Sequence, residues 1–175
     1  MRRVIRVERP DEVPEVDEVI RAAFFRHGDE VVDFADRIRA SENAMPEYSL
    51  VAEDETGIVG HVMLSWVGLE ESSRSRILVL TPMSVRPDRQ RRGIGSALVR
   101  AVLERAEASG EPAVLVEGIP GYYPRFGFER ASALGFVAPS PTIPDDAFMV
   151  RRFATYAPDV AGRVVYPAAY DALGS

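Results

Sequence analysis

The spacing of apolar and polar positions changes several times along the chain, and each change marks an element. Arg3–Glu8 reads as a short strand. After Pro10 and Asp11, Val13, Val16, Val19, Ile20, Ala23 and Phe24 recur at the spacing of an amphipathic helix. His27-Gly28-Asp29 interrupts that pattern, and a second helix runs to about Ala40 with Val31, Phe34, Ala35 and Ile38 facing inward. The period then becomes strand-like. Glu47–Glu53 alternates, Glu53–Gly57 is a turn, and Ile58–Val67 resumes, which predicts a hairpin. Ser72–Arg76 is a polar loop. Ile77–Leu80 is a continuous apolar run, and Pro82 in its continuation predicts an interrupted or bulged strand.

Gly93–Ser109 is the clearest helix, with Ile94, Ala97, Leu98, Ala101, Val102, Arg105 and Ala106 on one face and Gly110 and Pro112 ending it. A short buried strand follows at Ala113–Val116, then a turn or short helix at Pro120–Arg125. Ala147–Arg152 and Val164–Val165 are the late strands, after a proline-rich link at Pro139–Pro144. Strands and helices in this order predict a single α/β (α+β) domain built on a mixed sheet.

Composition narrows the chemistry. At 175 residues and 46% hydrophobic, the chain has the size of one domain with one sizeable core. It holds no cysteine, so disulfides, thiolate metal sites and a cysteine nucleophile are excluded. Two histidines, His27 and His61, are too few and too far apart to suggest a zinc site, and no metal is expected. A net charge of -6 argues against nucleic acid as a partner. No run of about 18 apolar residues is present, and the first residues lack a signal core, so a cytoplasmic protein away from membranes is expected. All 21 basic residues are arginine.

One segment stands out. From Val85 to Leu98 a strand ends, a tight loop follows and a long helix opens at Gly93 and Gly95. Such a junction presents unpaired backbone amides at the positive end of the helix dipole, which suits a pyrophosphate. Arg86, Arg89, Arg91 and Arg92 stand against Asp88 alone, a reversal of sign within an acidic chain. A nucleoside-triphosphate loop requires a lysine, which is absent, and the dinucleotide fingerprint requires a small residue where Leu98 stands.

Gln90-x-x-Gly93-x-Gly95, preceded by Val85-x-Pro87, resembles the coenzyme-A loop of the GNAT superfamily of N-acetyltransferases. Gly121–Phe128 (Gly-Tyr-Tyr-Pro-Arg-Phe-Gly-Phe) is similar to that superfamily's second signature. With Phe148-Met149-Val150 it looks like a bacterial subgroup bearing Tyr-Tyr-x-Arg-Phe-Gly-Phe. The likeness spans roughly residues 3–152.

The resemblance implies a mostly antiparallel mixed sheet, splayed in the middle and flanked by helices. Residues 1–152 would form the N-acetyltransferase domain, and 153–175 an extension packed on it or completing it. It implies acetyl-CoA as co-substrate and direct transfer to a primary amine, on a small molecule or a peptide, in a ternary complex. A homodimer is among the expected assemblies. Met83, Ser84 and Val85 would pair with the pantetheine arm and supply an oxyanion donor. Arg91, Arg92, Gly93, Ile94, Gly95 and Ser96 would cradle the pyrophosphate. The sheet would part between the strand ending at Val85 and Ala113–Val116. Tyr123 occupies the general-acid position, and Tyr122 is core or pocket wall. Glu117 stands where a base could sit, with His61, His27 or water as alternatives. The loops around Phe24–Val31 and Trp66–Arg76 would choose the acceptor. A non-catalytic acyl-CoA-binding regulator is the competing function.

Overall fold

The computed structural model describes residues 2–173. In chain order the elements are β1 (Val4–Val7), α1 (Val13–Ala23), α2 (Gly28–Arg39), β2 (Ala44–Asp54), β3 (Gly57–Glu70) and β4 (Arg76–Val85). They continue with α3 (Ile94–Ala108), β5 (Ala113–Glu117), β6 (Glu129–Arg130), β7 (Phe148–Arg152) and β8 (Arg163–Val165). The strands form one eight-stranded sheet in the order β1-β2-β3-β4-β5-β7-β6, with β8 added on β3. Every ladder between these strands is antiparallel except β4–β5.

Helices cover both faces. Leu98, Val99, Val102, Leu103 and Ala106 of α3 pack on one face against Leu50, Val62, Leu80 and Val114. On the other, Val16, Val19 and Ile20 of α1 and Val31 and Ala35 of α2 meet Val51 and Ile58. Phe34 and Ile38 join Val79, Leu115 and Val164 farther along that face. The middle strands are therefore buried on both sides, and for that reason Ile77–Leu80 is a solid apolar run.

Element by element, the differences from the sequence pattern have local causes. Arg105, expected on the inner face of α3, is exposed, and Val99 and Leu103 are buried in its stead. β2 begins at Ala44, because four residues, Met45–Tyr48, stand opposite Leu64 alone and break the alternation. The two-residue β6 is too short for any period to reveal. Pro120–Arg125 yields only a 3-10 turn, Tyr123–Phe126.

Two irregularities shape the middle of the sheet. Met83 pairs with Val62 and Leu80 with Leu64, so β4 carries one extra residue at Thr81-Pro82. On its other edge β4 pairs with β5 only at Leu78–Val114 and Val79–Leu115. Beyond Val79 the two parallel strands have no further pairing, and the sheet is split between the end of β4 and the end of β5. β8 carries the C-terminal segment back into the sheet, pairing Gly68–Glu70 of β3 just past the last contact of β2 at Ser65.

Candidate active site

The loop from β4 to α3 is fixed at its start and open at its end. The Arg86 amide donates to Val59 O (2.8 Å), and Gln90 Nε2 donates to Val85 O (3.1 Å). Arg86 and Arg89 are tied to Asp88 at 2.8 and 2.9 Å, and Arg89 also to Asp54 at 3.0 Å. Hydrogen bonds from the Thr56 hydroxyl and amide, with Arg89 alongside, hold the Asp54 carboxyl at about 2. Two of the four arginines that the sequence assigns to a ligand are thus consumed in holding the loop. Arg91 and Arg92 are exposed and form no ion pair among the described residues.

Arg91 (φ 62°) and Gly93 (φ 79°) both take left-handed backbone, turning the chain sharply into α3. Glycine suits the second turn because it has no Cβ to oppose that conformation. The first helical bond runs from the Ala97 amide to Gly93 O, at 3.0 Å. The six preceding amides, Arg91 to Ser96, have no backbone acceptor among the described residues. They gather at the positive end of the helix dipole. The side chain of Met83, from β4, lies against Gly95, which joins this loop to the edge of the split.

The two consecutive tyrosines point to different places. Tyr122 OH is 3.4 Å from Ser96 Oγ, over the first turn of α3. Tyr123 turns toward the end of β5, where its ring covers Gly118, and is buried against Phe126 and Phe128. Burial, with Tyr122 beside it, pushes the Tyr123 phenol up to about 12.

On the α2 side of the split is a cavity of about 900 Å³. Val79 and Thr81 of β4 and Glu117 of β5 line it, with Phe34, Tyr166 and Tyr170. Tyr166 OH donates to Glu117 Oε2 at 3.0 Å. Neither Phe24–Val31 nor Trp66–Arg76, the loops expected to surround the acceptor, contributes a residue. Residues among 138–143 and 163–171 complete its lining.

The histidines are elsewhere. His61 is fully buried, with Nε2 2.9 Å from Ser49 Oγ, and Ser49 also donates to Glu8. His27 is exposed, 3.6 Å from Glu30. Of the candidate bases, Glu117 alone lines the cavity. A smaller cavity of about 240 Å³ at the start of β2 borders Glu8 and Arg39, whose charges already satisfy each other. Among the described residues there is no cluster of three or more metal-ligating side chains, and no helix is long and apolar enough to cross a membrane.

The profile of the acetyltransferase (GNAT) domain family matches residues 46–130. The N-acetyltransferase YhbS of Escherichia coli K12 is 30% identical over 165 residues, covering 93% of this chain and 95% of YhbS. The chain belongs to the GNAT family of N-acetyltransferases. A second relative, the N-acetyltransferase YjhQ of Escherichia coli K12, is 34% identical over 116 residues, which span 65% of this chain and 64% of YjhQ. The crystal structure of E. coli YhbS in complex with CoA superposes with a TM-score of 0.88 at 29% identity, over 99% of this chain and 94% of that one. A GNAT acetyltransferase from Brucella melitensis in complex with acetyl-CoA gives 0.77 at 31% identity, over 97% and 99%.

Within this GNAT chain, sequence reasoning missed the contribution of the C-terminal segment to the cavity. Tyr166 directly follows β8, and Tyr170 lies in a six-residue 3-10 helix, Ala168–Leu173, too short for a period to mark it. Tyr170 OH lies 2.8 Å from the buried Ser65 Oγ, and its ring meets Phe34 edge-on at 4.9 Å. Phe34 and Glu117 are legible in the sequence, whereas two tyrosines four residues apart in so short a segment have no distinctive pattern.

Proposed function

We propose that the chain transfers an acetyl group from acetyl-CoA to a primary amine by direct attack in a ternary complex. The observation that carries the reading is the row of unpaired amides from Arg91 to Ser96, set beside a split in the sheet. Family membership and CoA-bound relatives support it. The donor supplies an activated thioester, and the residues of the chain do the rest. Arg91 to Ser96 bind the pyrophosphate through backbone amides, the helix dipole and two unpaired guanidinium groups. Met83, Ser84 and Val85, on the edge of β4 that lacks a strand partner, hold the pantetheine arm. One of their amides donates to the thioester oxygen as it becomes negative.

Glu117 takes the proton that the amine loses as its nitrogen bonds to the acyl carbon. Tyr123 serves the sulfur as the carbon–sulfur bond breaks. With the phenol near 12 and a thiol near 8.5, outright proton donation is uphill by about 5 kcal/mol. Tyr123 therefore acts chiefly as a hydrogen-bond donor to the thiolate, and the sulfur takes its proton from solvent on release. One proton leaves nitrogen and one reaches sulfur, giving an amide and free CoA.

Residues 153–173 work in this reading as part of the same domain, since β8 and Tyr170 are built into its sheet and core. The bacterial relatives and the acetyl-CoA donor accord with a bacterial cytoplasmic enzyme. The test is release of free thiol from acetyl-CoA with polyamines, amino acids, aminoglycosides and peptides, with the product identified by mass. Acetylated amine in step with thiol is the expected result. Acetyl-CoA binding with no transfer to any acceptor would favour a regulator.

A further inference from the structure

The cavity beside the split has a distinct chemistry. Phe34 and Tyr170 meet edge-on at 4.9 Å, and Tyr170 and Tyr166 pack at 4.8 Å, so the half-buried Tyr166 ring fronts the cavity, backed by Tyr170 and, fully buried behind it, Phe34. The Tyr166 hydroxyl donates to the Glu117 carboxylate, which ends β5 at the split. That bond occupies one oxygen and leaves Oε1 for a ligand. Burial, followed by the charge of Glu117, pushes the Tyr166 phenol up, so it remains a donor. The charged lining residues are Glu117, Asp171 and Arg163, two negative and one positive, a net charge of -1. Neither Asp171 nor Arg163 has an ion-pair partner among the described residues.

We propose that this cavity takes a singly charged primary ammonium with an aromatic or apolar body. The nitrogen docks on Glu117, which Tyr166 holds in place, and the body lies along Tyr166 and the edge of Tyr170. One ammonium proton passes to solvent before attack, so that Glu117 can take the second. The proposal rests on the acetyltransferase reading and names the class of its acceptor. A carboxylate fixed by a hydrogen bond binds an ammonium without first losing its own side-chain freedom, and ring faces add attraction for the cation. The volume suits a ligand larger than a simple alkylamine. A polyamine gains little, because a second positive charge meets Arg163 as well as Asp171. Tyr166 is a positioning residue, acting through Glu117.

The test is equilibrium binding of 2-phenylethylammonium to the full chain saturated with CoA, which cannot react. Its neutral analogue 2-phenylethanol and spermidine are run in parallel. The wild type is expected to favour the ammonium over the alcohol by about tenfold and over spermidine by a similar factor. Glu117→Gln should abolish the preference over the alcohol, and Tyr166→Phe should reduce it about threefold while leaving alcohol binding intact. A merely structural Tyr166 would weaken both probes alike. Equal binding of ammonium and alcohol to the wild type, no ammonium binding, tighter binding of spermidine, or a preference unchanged in both variants would overturn the proposal. CoA affinity, measured on the same samples, reports separately on the donor site. Its persistence alongside a failed amine test would leave the acetyltransferase reading standing.

Discussion

Tyr123 covers Gly118 so closely that a Cβ on the glycine would lie 2.4 Å from Cε2 of the tyrosine. The ring thus sits at the end of β5, directly beyond Glu117, where β4 and β5 have parted. Gly118→Ala must displace it. The expected outcome is a fall in kcat of about tenfold or more with little change in acetyl-CoA affinity. Steady-state kinetics beside calorimetry checks this, and an unaltered kcat would show that the placement of Tyr123 is immaterial.

Removing the Tyr123 hydroxyl tests the same residue without moving it. If the phenol supports the departing thiolate, Tyr123→Phe lowers kcat and kcat/KM together, by about 10²-fold. The packing on Phe126 and Phe128 survives in phenylalanine, so folding and CoA affinity should hold. A variant within threefold of the wild-type kcat, on a substrate with chemistry rate-limiting, would remove the residue from the mechanism.

Tyr122→Phe should behave differently. Its hydroxyl is 3.4 Å from Ser96 Oγ, at the proposed pyrophosphate site and away from the end of β5. A rise of a few-fold in the dissociation constant for acetyl-CoA is expected, with kcat nearly unchanged. A loss confined to kcat would mean that the roles of the two tyrosines had been exchanged.

Acid should weaken the fold through the cluster under α1 and α2. Complete burial holds His61 below its usual value, neutral at pH 7. Burial alone would raise Glu8, but the contact with His61, the Ser49 hydroxyl and the charge of Arg39 hold it below its usual value. With His61 neutral, Arg39 at 2.9 Å is the partner that keeps Glu8 ionised. The unfolded chain takes up protons near 6.5 at His61 and near 4.5 at Glu8 while the folded chain does not, so stability falls with pH through both windows. The Glu8 share is present above pH 4.5 and is lost as the pH falls below it. Melting temperatures of wild type and His61→Gln should converge between pH 7 and 5. Parallel curves would contradict the assignment.

What the sequence disclosed was whatever is local. The inward residues of α2, Val31, Phe34, Ala35 and Ile38, follow from helical spacing and are all buried. The bulge follows from Pro82, and the sharp turn into α3 from Gly93. What it concealed are contacts made across the fold. Arg86 and Arg89 look like ligand charges until Asp88 and Asp54 are found beside them, the latter from the β2–β3 turn. Glu8, Arg39, Ser49 and His61 meet only when β1, α2, β2 and β3 assemble. Tyr166 finds Glu117 across 49 residues of sequence, beyond the reach of any period.

The central claim is that the amides from Arg91 to Ser96 bind the pyrophosphate of acetyl-CoA, and calorimetric titration of wild type and Gly95→Asp tests it most directly. A Cβ at Gly95 would lie 3.2 Å from Tyr122 OH and 3.5 Å from Met83 Cε, so the new carboxylate adds both bulk and negative charge at the amides. Wild type should bind acetyl-CoA at one site in the micromolar range, with no comparable binding of ATP or NAD. The folded variant should show none. Unchanged affinity in a Gly95→Asp protein that retains its cooperative melting would contradict the account.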